Sequence, residues 1–335
     1  MTDTTTFWSA EAPGKVVLAG EYAVLAGAPS LVMAIDRLAR CTITANSDDH
    51  WTFSSSGFEA ESQHRLNALA DPAKMAANDP ARLLGWALTG WQKKPTTDWL
   101  AQLPRGALVH TDTTEMYEGN LKLGLGSSAA LMTAISGCLT AIVSAERPAF
   151  QAIHQAHQSS QGGIGSGLDV ATSLTGGLIR FEAGTTTPGQ WPNTLHYRFV
   201  YSGKPASTSK LVGRFNRYRE TAQKSHSIEP LKTLIDASAT LANGAINLDN
   251  LARYVCALKA LDDAAEIGIY SAEHTSIAAE AERHQLIYKP CGAGGGDLGV
   301  AIGERVGDLE NFTDALDKNF AVIDLEIAAH GLKIG

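Results

Sequence analysis

The sequence predicts a chain of mixed helix and sheet arranged as two domains around one cleft, on three observations. Its 335 residues, 44% hydrophobic and 19% charged, are ample for a buried core and read most naturally as two domains. Strand formers dominate the opening of the chain, whereas helical periodicities follow one another through its second half. Between the halves, residues 183–193 hold Gly, Thr and Pro without periodicity. That places the boundary there, with an N-terminal domain over 1–187 and a C-terminal domain over 188–335.

In chain order, residues 16–19, 31–35 and 39–45 are predicted strands, separated by Gly, Pro and charged residues. Asp79-Pro80 is a helix start with Pro at the first helical position, and Leu83, Leu84, Ala87, Leu88 and Trp91 recur at helical spacing behind it. Residues 107–110 read as a short strand. From Ser128 on, Leu131, Ile135, Cys138, Leu139, Ile142 and Val143 fall on one face of a 3.6-residue period, predicting a helix of about four turns after a glycine-rich turn. Residues 178–181 read as another strand. The second half predicts helices near 208–222, 229–243, 248–265 and 273–285, strands at 286–289 and 298–302, and a last helix and strand.

Composition narrows the function classes. The net charge is −8 and no run of Lys or Arg makes a basic stripe, which argues against nucleic acid and anionic membrane as partners. The opening of the chain lacks the basic-then-apolar order of a signal peptide, and the longest apolar stretch, 129–143, is interrupted by Thr133, Ser136, Gly137 and Thr140. A buried helix in a cytoplasmic protein is the expectation. Cys41, Cys138, Cys256 and Cys291 are far apart with no C-x-x-C pair, so buried free thiols are expected rather than zinc ligands or disulfides.

Four segments are too glycine-rich and polar to be core. The first runs Ala12-Pro13-Gly14-Lys15-Val16-Val17-Leu18-Ala19-Gly20-Glu21-Tyr22; a lysine entering a buried strand must snorkel outward or meet an anion. The second is Lys122-Leu123-Gly124-Leu125-Gly126-Ser127-Ser128-Ala129-Ala130. Its glycines let backbone N–H groups converge at a helix N-terminus, and a serine hydroxyl there can reach a phosphate or metal oxygen site; the plain alternative is a serine N-cap. The third, Gly162-Gly163-Ile164-Gly165-Ser166-Gly167-Leu168-Asp169, suggests a loop that holds a carboxylate at a helix start. The fourth, Lys289-Pro290-Cys291-Gly292-Ala293-Gly294-Gly295-Gly296-Asp297-Leu298-Gly299, contains G-x-G-x-x-G, but the strand-like Val300-Ala301-Ile302 behind it favours a tight hairpin over a dinucleotide turn. No P-loop sequence is present.

Together, in this order, these segments resemble the GHMP kinases. The first is similar to their N-terminal substrate motif, the second to their phosphate loop, with Lys122-Leu123 where proline often stands, and the fourth to their C-terminal G-A-G-G-G motif. The resemblance implies a two-domain α+β fold, with an S5-like N-terminal domain and a ferredoxin-like C-terminal one. Within the superfamily, Tyr22 (where mevalonate kinases usually have histidine), Ala156-His157, Gln161-Gly162, the Asp169 segment and Pro205-Ala206-Ser207-Thr208-Ser209 are similar to the phosphomevalonate kinases.

What the resemblance implies is a small-molecule kinase using ATP and Mg²⁺ that phosphorylates 5-phosphomevalonate. Lys15 and Asp169 would act at the transfer site. Lys122, Gly124, Leu125, Gly126, Ser127, Ser128 and Ala129 would hold the nucleotide, with Ser128 on the metal. Lys15, Glu21, Tyr22, His157, Gln161, Ser166, Ser207, Ser209, Lys210, Gly294 and Gly295 would hold the acceptor. The glutamate that mevalonate kinases carry eleven residues before the aspartate is here Gln158, a weaker ligand for a hard cation. Partners reduce to small molecules, with a homodimer allowed for. The rival readings are mevalonate kinase, a sugar kinase on the same scaffold, a catalytically silent ATP- and metabolite-binding regulator and, more distantly, a nicotinamide-dependent oxidoreductase.

Overall fold

The computed structural model describes residues 6–91, 99–143, 147–163, 165–225 and 228–335. Ile164, inside the third glycine segment, lies outside the described residues, as do residues 1–5 and the side chain of Trp91.

The chain opens with β1 (Phe7–Ala19), β2 (Ser30–Asn46), β3 (Trp51–Ser55) and β4 (Phe58–His64), then α1 (Leu66–Leu69), α2 (Arg82–Trp91), β5 (Gly106–Asp112) and a small ribbon of β6 (Tyr117–Glu118) and β7 (Leu121–Lys122). Next come α3 (Ser127–Val143), α4 (Phe150–Ser160), α5 (Leu168–Thr175), β8 (Leu178–Glu182), β9 (Thr185–Gly189) and β10 (His196–Tyr201). The remainder is α6 (Thr208–Ser225), α7 (Glu229–Asn243), α8 (Leu248–Ala265), α9 (Ala272–Arg283), β11 (Ile287–Pro290), β12 (Leu298–Gly303), α10 (Val306–Ala315), β13 (Ala321–Ile323) and β14 (Lys333–Ile334).

The larger sheet runs β14-β1-β2-β5-β3-β4, with β8 on the other half of β2 and β9 outside it. Strand β2 serves two neighbours because it bends. Pro13 has no N–H to give the ladder, and the register slips there by two residues, Pro13 facing Leu38 and Gly14 facing Ile35. Residues 30–33 therefore pair with β8 and residues 40–46 with β5. The second sheet, β11-β12-β10-β13, is antiparallel throughout. Numbered within that half, its strands stand in the order 2-3-1-4 with helices in the two crossovers, the ferredoxin-like arrangement.

Three expectations from sequence need correction. The aperiodic stretch around residue 187 is a hairpin: Ala183 and Gly184 both take positive φ, the two-residue turn that suits strand twist, and three threonines follow it into β9. The boundary drawn between 187 and 188 thus falls inside a strand of the first sheet, and that sheet also takes back 333–334 from the far end of the chain. Helix α3 is buried nearly all round. Thr133 and Thr140 enter it by returning their hydroxyls to the carbonyls of Ala129 and Ser136, both at 2.8 Å, whereas Leu131, Ile142 and Val143 of the predicted stripe are only half-buried. Of the cysteines, Cys41 and Cys138 are buried as expected, but Cys256 is exposed and Cys291 half-buried.

One apolar cluster joins the sheets. It includes Val16, Leu18, Leu31, Met33 and Ile35 of the first and Phe199, Tyr201, Val300 and Ile302 of the second, with Leu258 and Leu261 of α8. A second cluster lies between α2, α3, α4 and the first sheet, where Gly137 brings α3 so close that a Cβ there would sit 2.9 Å from that of Ala10. Among the described residues no helix is long and apolar enough to cross a membrane.

Candidate active site

The site begins where the phosphate-loop segment enters α3. Leu123 and Leu125 are buried and alternate with Gly124 and Gly126, which take φ of +74° and +78°, so the loop is pinned by its leucines and turned by its glycines. It is stitched to β1 by the N–H of Lys15, which donates to the Leu125 carbonyl at 2.8 Å. Helix α3 starts at Ser127, and the Gly126 carbonyl accepts from Ala129 and Ala130 at 3.0 and 3.1 Å. The first-turn N–H groups of Ser127 and Ser128 have no intrahelical partner, and both residues are half-buried at the start of a 17-residue helix. The amide of Gln161 donates to the Ser128 hydroxyl at 3.4 Å, so these two predicted residues do meet. Lys122 is exposed at the loop entrance.

Gly126 is the meeting point of the predicted catalytic pair. A Cβ there would lie 3.2 Å from Cε of Lys15 and 3.8 Å from Cβ of Asp169, so both side chains flank the same glycine. A Cβ on Gly292 would lie 3.8 Å from Nζ of Lys15, which brings the C-terminal glycine loop to the same point. Lys15 and Asp169 are both half-buried, and they make no ion pair with each other or with any other described residue. Asp169 stands in the first turn of α5, behind Gly167 at φ +86°. That helix is fixed to β1 by the Ser173 hydroxyl, which donates to the Pro13 carbonyl at 2.8 Å. Ser166 accepts from the Leu168 N–H at 3.4 Å and so closes the turn beside Asp169.

Two histidines of α4 back this loop. His154 lies against Gly167, whose Cβ would come within 2.7 Å of its Nδ1, and burial lowers its pKa against the opposing pull of Asp169. His157 is buried, and its Nε2 has no hydrogen-bond partner among the described residues.

Glu21 and Tyr22 are placed differently from expectation. Glu21 is 4% exposed and its carboxylate is used internally: Lys289 donates to Oε1 at 2.5 Å and the Tyr254 hydroxyl donates to Oε2. It is therefore an interior counter-ion, with each oxygen engaged inside the protein. Tyr22 is also buried, at φ +61°, and its hydroxyl donates to the Ala293 carbonyl at 2.5 Å while its ring packs 5.1 Å from that of Phe215. Desolvation raises its phenol pKa, with Asp262 and Glu21 adding to the effect.

The fourth segment is the expected hairpin between β11 and β12. Gly294 and Gly295, at φ +70° and +74°, lie flat on the neighbouring 268–269 backbone, and the Gly295 N–H donates to the Ile269 carbonyl at 2.8 Å. They shape the loop rather than offer side-chain chemistry. Ser207, Ser209 and Lys210 are exposed at the start of α6, and no side-chain hydrogen bond or ion pair brings them to Lys15 or Asp169. The structure does connect that element to the phosphate loop through a residue the sequence reading passed over. Asp297, at φ +54°, accepts from the Ala206 N–H at 3.1 Å with Oδ1, while a Cβ on Gly124 would lie 2.5 Å from its Oδ2. Burial raises its pKa; the Ala206 hydrogen bond, Lys15 and Lys122 pull it back. Asp262 was passed over too, and its carboxylate accepts from the N–H groups of Gly268, Ile269 and Tyr270 at 2.7–2.9 Å, fixing the loop under Gly294. The sign of Asp297 in the sequence was its place directly behind the glycine run; Asp262, inside a helical pattern, gave none.

Among the described residues no three His, Cys, Asp or Glu side chains gather as a metal cluster. A Mg²⁺ that arrives on nucleotide phosphates needs only one or two protein oxygens and keeps its waters, so the Ser128 hydroxyl beside the loop fits such an ion.

No family model matches the chain. It is 28% identical to the phosphomevalonate kinase of Streptomyces sp. (strain CL190), over 87% of this chain and 88% of that protein. It is 25% identical to the mevalonate kinase of Methanothermobacter thermautotrophicus, over 97% of this chain and 99% of that one. Among solved structures, the Streptococcus pneumoniae phosphomevalonate kinase in complex with phosphomevalonate and AMPPNP superposes with a TM-score of 0.70 at 18% identity, covering 95% of this chain and 99% of that chain. With the phosphate loop, the aspartate loop and the C-terminal glycine hairpin converging as described, the chain has the GHMP kinase fold and is similar over nearly its whole length to small-molecule kinases of that superfamily.

Proposed function

We propose that this kinase transfers the γ-phosphoryl group of ATP to the terminal phosphate of 5-phosphomevalonate, giving 5-diphosphomevalonate and ADP. The observation that carries the reading is the convergence of Lys15, Gly126, Asp169 and Gly292 at the free N-terminus of α3. Backbone N–H groups of the 124–128 loop and the helix dipole receive the nucleotide phosphates. The acceptor is taken from the Streptomyces relative, named a phosphomevalonate kinase. The Methanothermobacter relative, named a mevalonate kinase, supports the second reading, in which the acceptor is mevalonate.

In the step itself, an acceptor phosphate oxygen bonds to Pγ as the bond from Pγ to the β–γ bridging oxygen breaks, and that oxygen leaves on ADP. The acceptor oxygen is ionised near neutral pH, so no strong base is required. Asp169 orients Lys15, whose ammonium counters the charge that develops on the moving group; positioning and charge stabilisation dominate such transfers. The Ser128 hydroxyl would hold a Mg²⁺ arriving on the nucleotide, which would supply further neutralisation of the phosphate oxygens.

The test is ADP release with mevalonate, 5-phosphomevalonate, galactose and homoserine as acceptors. 5-Phosphomevalonate should give the highest kcat/KM, because donors built around a phosphate are left unpaired when it is missing. A higher kcat/KM for mevalonate selects the second reading, and no ADP release with any acceptor removes both.

A further inference from the structure

Between the two sheets lies a buried polar cluster that the transfer step does not use. Glu21 at the end of β1 meets Lys289 at the end of β11, and each side chain is 1% exposed. Lys289 also donates to the Val17 carbonyl at 3.1 Å. Tyr254 of α8 completes the group. Its hydroxyl accepts from the N–H of Gly20 at 2.9 Å and of Glu21 at 3.1 Å, and donates to Glu21 Oε2. Burial, reinforced by Glu21, holds this phenol well above its ordinary pKa, so it keeps the proton it donates.

What the cluster holds is a strained turn. Gly20 is at φ +107° and Tyr22 at φ +61°, a region that L side chains enter only when their surroundings fix them. The far end of the turn is tied by the Tyr22 hydroxyl to the Ala293 carbonyl, one residue from the Gly292 that faces Lys15. One small network therefore fixes the Gly20–Tyr22 turn, and through it the spacing between the turn and the glycine hairpin.

We propose that Tyr254 and Lys289 are positioning residues for the acceptor: acting through Glu21 and Tyr22, they set the distance between the Gly20–Tyr22 turn and the 291–297 loop. Glu21 is in this view the hub of a brace and not an acceptor ligand. The phosphate loop makes no hydrogen bond to any member of the cluster and meets the 291–297 loop by packing, at Gly124 against Asp297, so the acceptor side should respond more strongly than the nucleotide side. The inference rests on the cleft being the acceptor site of a small-molecule kinase, and not on which acceptor it takes.

Tyr254→Phe removes one oxygen atom and leaves two buried N–H groups and one carboxylate oxygen unpaired. It should raise the KM for 5-phosphomevalonate about ten- to a hundredfold, the range that unpaired buried donors cost, while the KM for ATP stays within about twofold. Tyr22→Phe, which cuts the other end of the same brace, should shift the same constant in the same direction. Leu258→Ala opens a cavity one turn along the same helix and removes none of the turn's hydrogen bonds; it should lower the thermal midpoint and leave both KM values unchanged. The proposal is overturned if folded Tyr254→Phe keeps the wild-type acceptor KM, if both KM values move together, or if Leu258→Ala reproduces the shift. Should mevalonate replace 5-phosphomevalonate as the working acceptor, it becomes the probe: the preceding reading then fails while this one is still decided by the same variants.

Discussion

Two charged clusters stand where the sheets meet, and they are built in opposite ways. Glu21 and Lys289 are sealed from water, and both carboxylate oxygens, the ammonium and two neighbouring N–H groups all have partners. Lys15 and Asp169 are half-open and make no ion pair among the described residues. A buried charge must be paired, since desolvation without compensation is costly, whereas a group that is to engage a ligand has to keep its bonding capacity free. The sealed cluster is thus suited to holding backbone in place and the open one to chemistry, although sequence motifs present Lys15 and Glu21 as parts of one segment.

The sharpest way to break that division is to remove the open pair. Lys15→Met and Asp169→Asn should each lower kcat by roughly two to four orders of magnitude, and the double variant should be little worse than the poorer single one, because the residues act as a unit on the transferred group. Thermal midpoints should barely move, as both side chains are half-open and neither makes an ion pair among the described residues. Additive losses in kcat would mean separate roles. A Lys15→Met midpoint far below wild type would show that the open cluster is structural after all.

The sealed pair should respond in the reverse sense. Lys289→Met strands a carboxylate in the interior and should cost about 3–5 kcal/mol in urea unfolding, while Glu21→Gln with Lys289→Met together should cost clearly less than the sum of the two single changes. A single variant within about 1 kcal/mol of wild type would mean that water reaches Glu21, and that the contrast between the clusters is one of degree.

How much of this was legible in the sequence follows the same division. The phosphate loop, the aspartate loop and the glycine hairpin announce themselves because glycines, serines and a carboxylate stand together within a few residues, and the helices from 208 to 283 announce themselves through period. Glu21 was misplaced because a motif shows which residues are adjacent along the chain but not where a side chain points. Its partners Tyr254 and Lys289 lie 233 and 268 residues away, and a tyrosine inside a helical pattern reads as ordinary core. The 185–189 strand was hidden by a different cause: its Pro and Gly belong to an edge strand beyond a positive-φ turn, where they break no ladder. Asp297 was printed next to a glycine run, but its contact with Gly124 exists only once the two sheets pack.

A milder probe sharpens the comparison without removing a charge. His274 is fully buried beneath the glycine hairpin, with Nε2 2.9 Å from the Gly296 carbonyl and Nδ1 2.7 Å from the Tyr288 hydroxyl. A carbonyl only accepts, so Nε2 carries the hydrogen; Nδ1 then accepts from Tyr288, and the neutral ring satisfies both neighbours. Burial is the main cause that lowers its pKa from the ordinary 6.5 to about 4, with Lys204 and Lys289 adding to it and the Gly296 hydrogen bond and Glu273 opposing. The unfolded chain therefore takes up this proton as pH falls through 6.5, whereas the folded protein refuses it until about 4. Stability is lost as pH falls across that window, and by pH 5 the loss attributable to this ring is about 2 kcal/mol. Urea unfolding at pH 7.5 and pH 5 should show that difference in wild type and not in His274→Gln, whose neutral amide starts from a lower but flatter baseline. Because Gly296 belongs to the glycine hairpin proposed above to set the acceptor site, the acceptor KM of wild type should begin to rise over the same window before the KM for ATP does. If His274→Gln keeps the full pH slope, the ring is protonated without penalty and this part of the interior is wetter than the sealed cluster beside it.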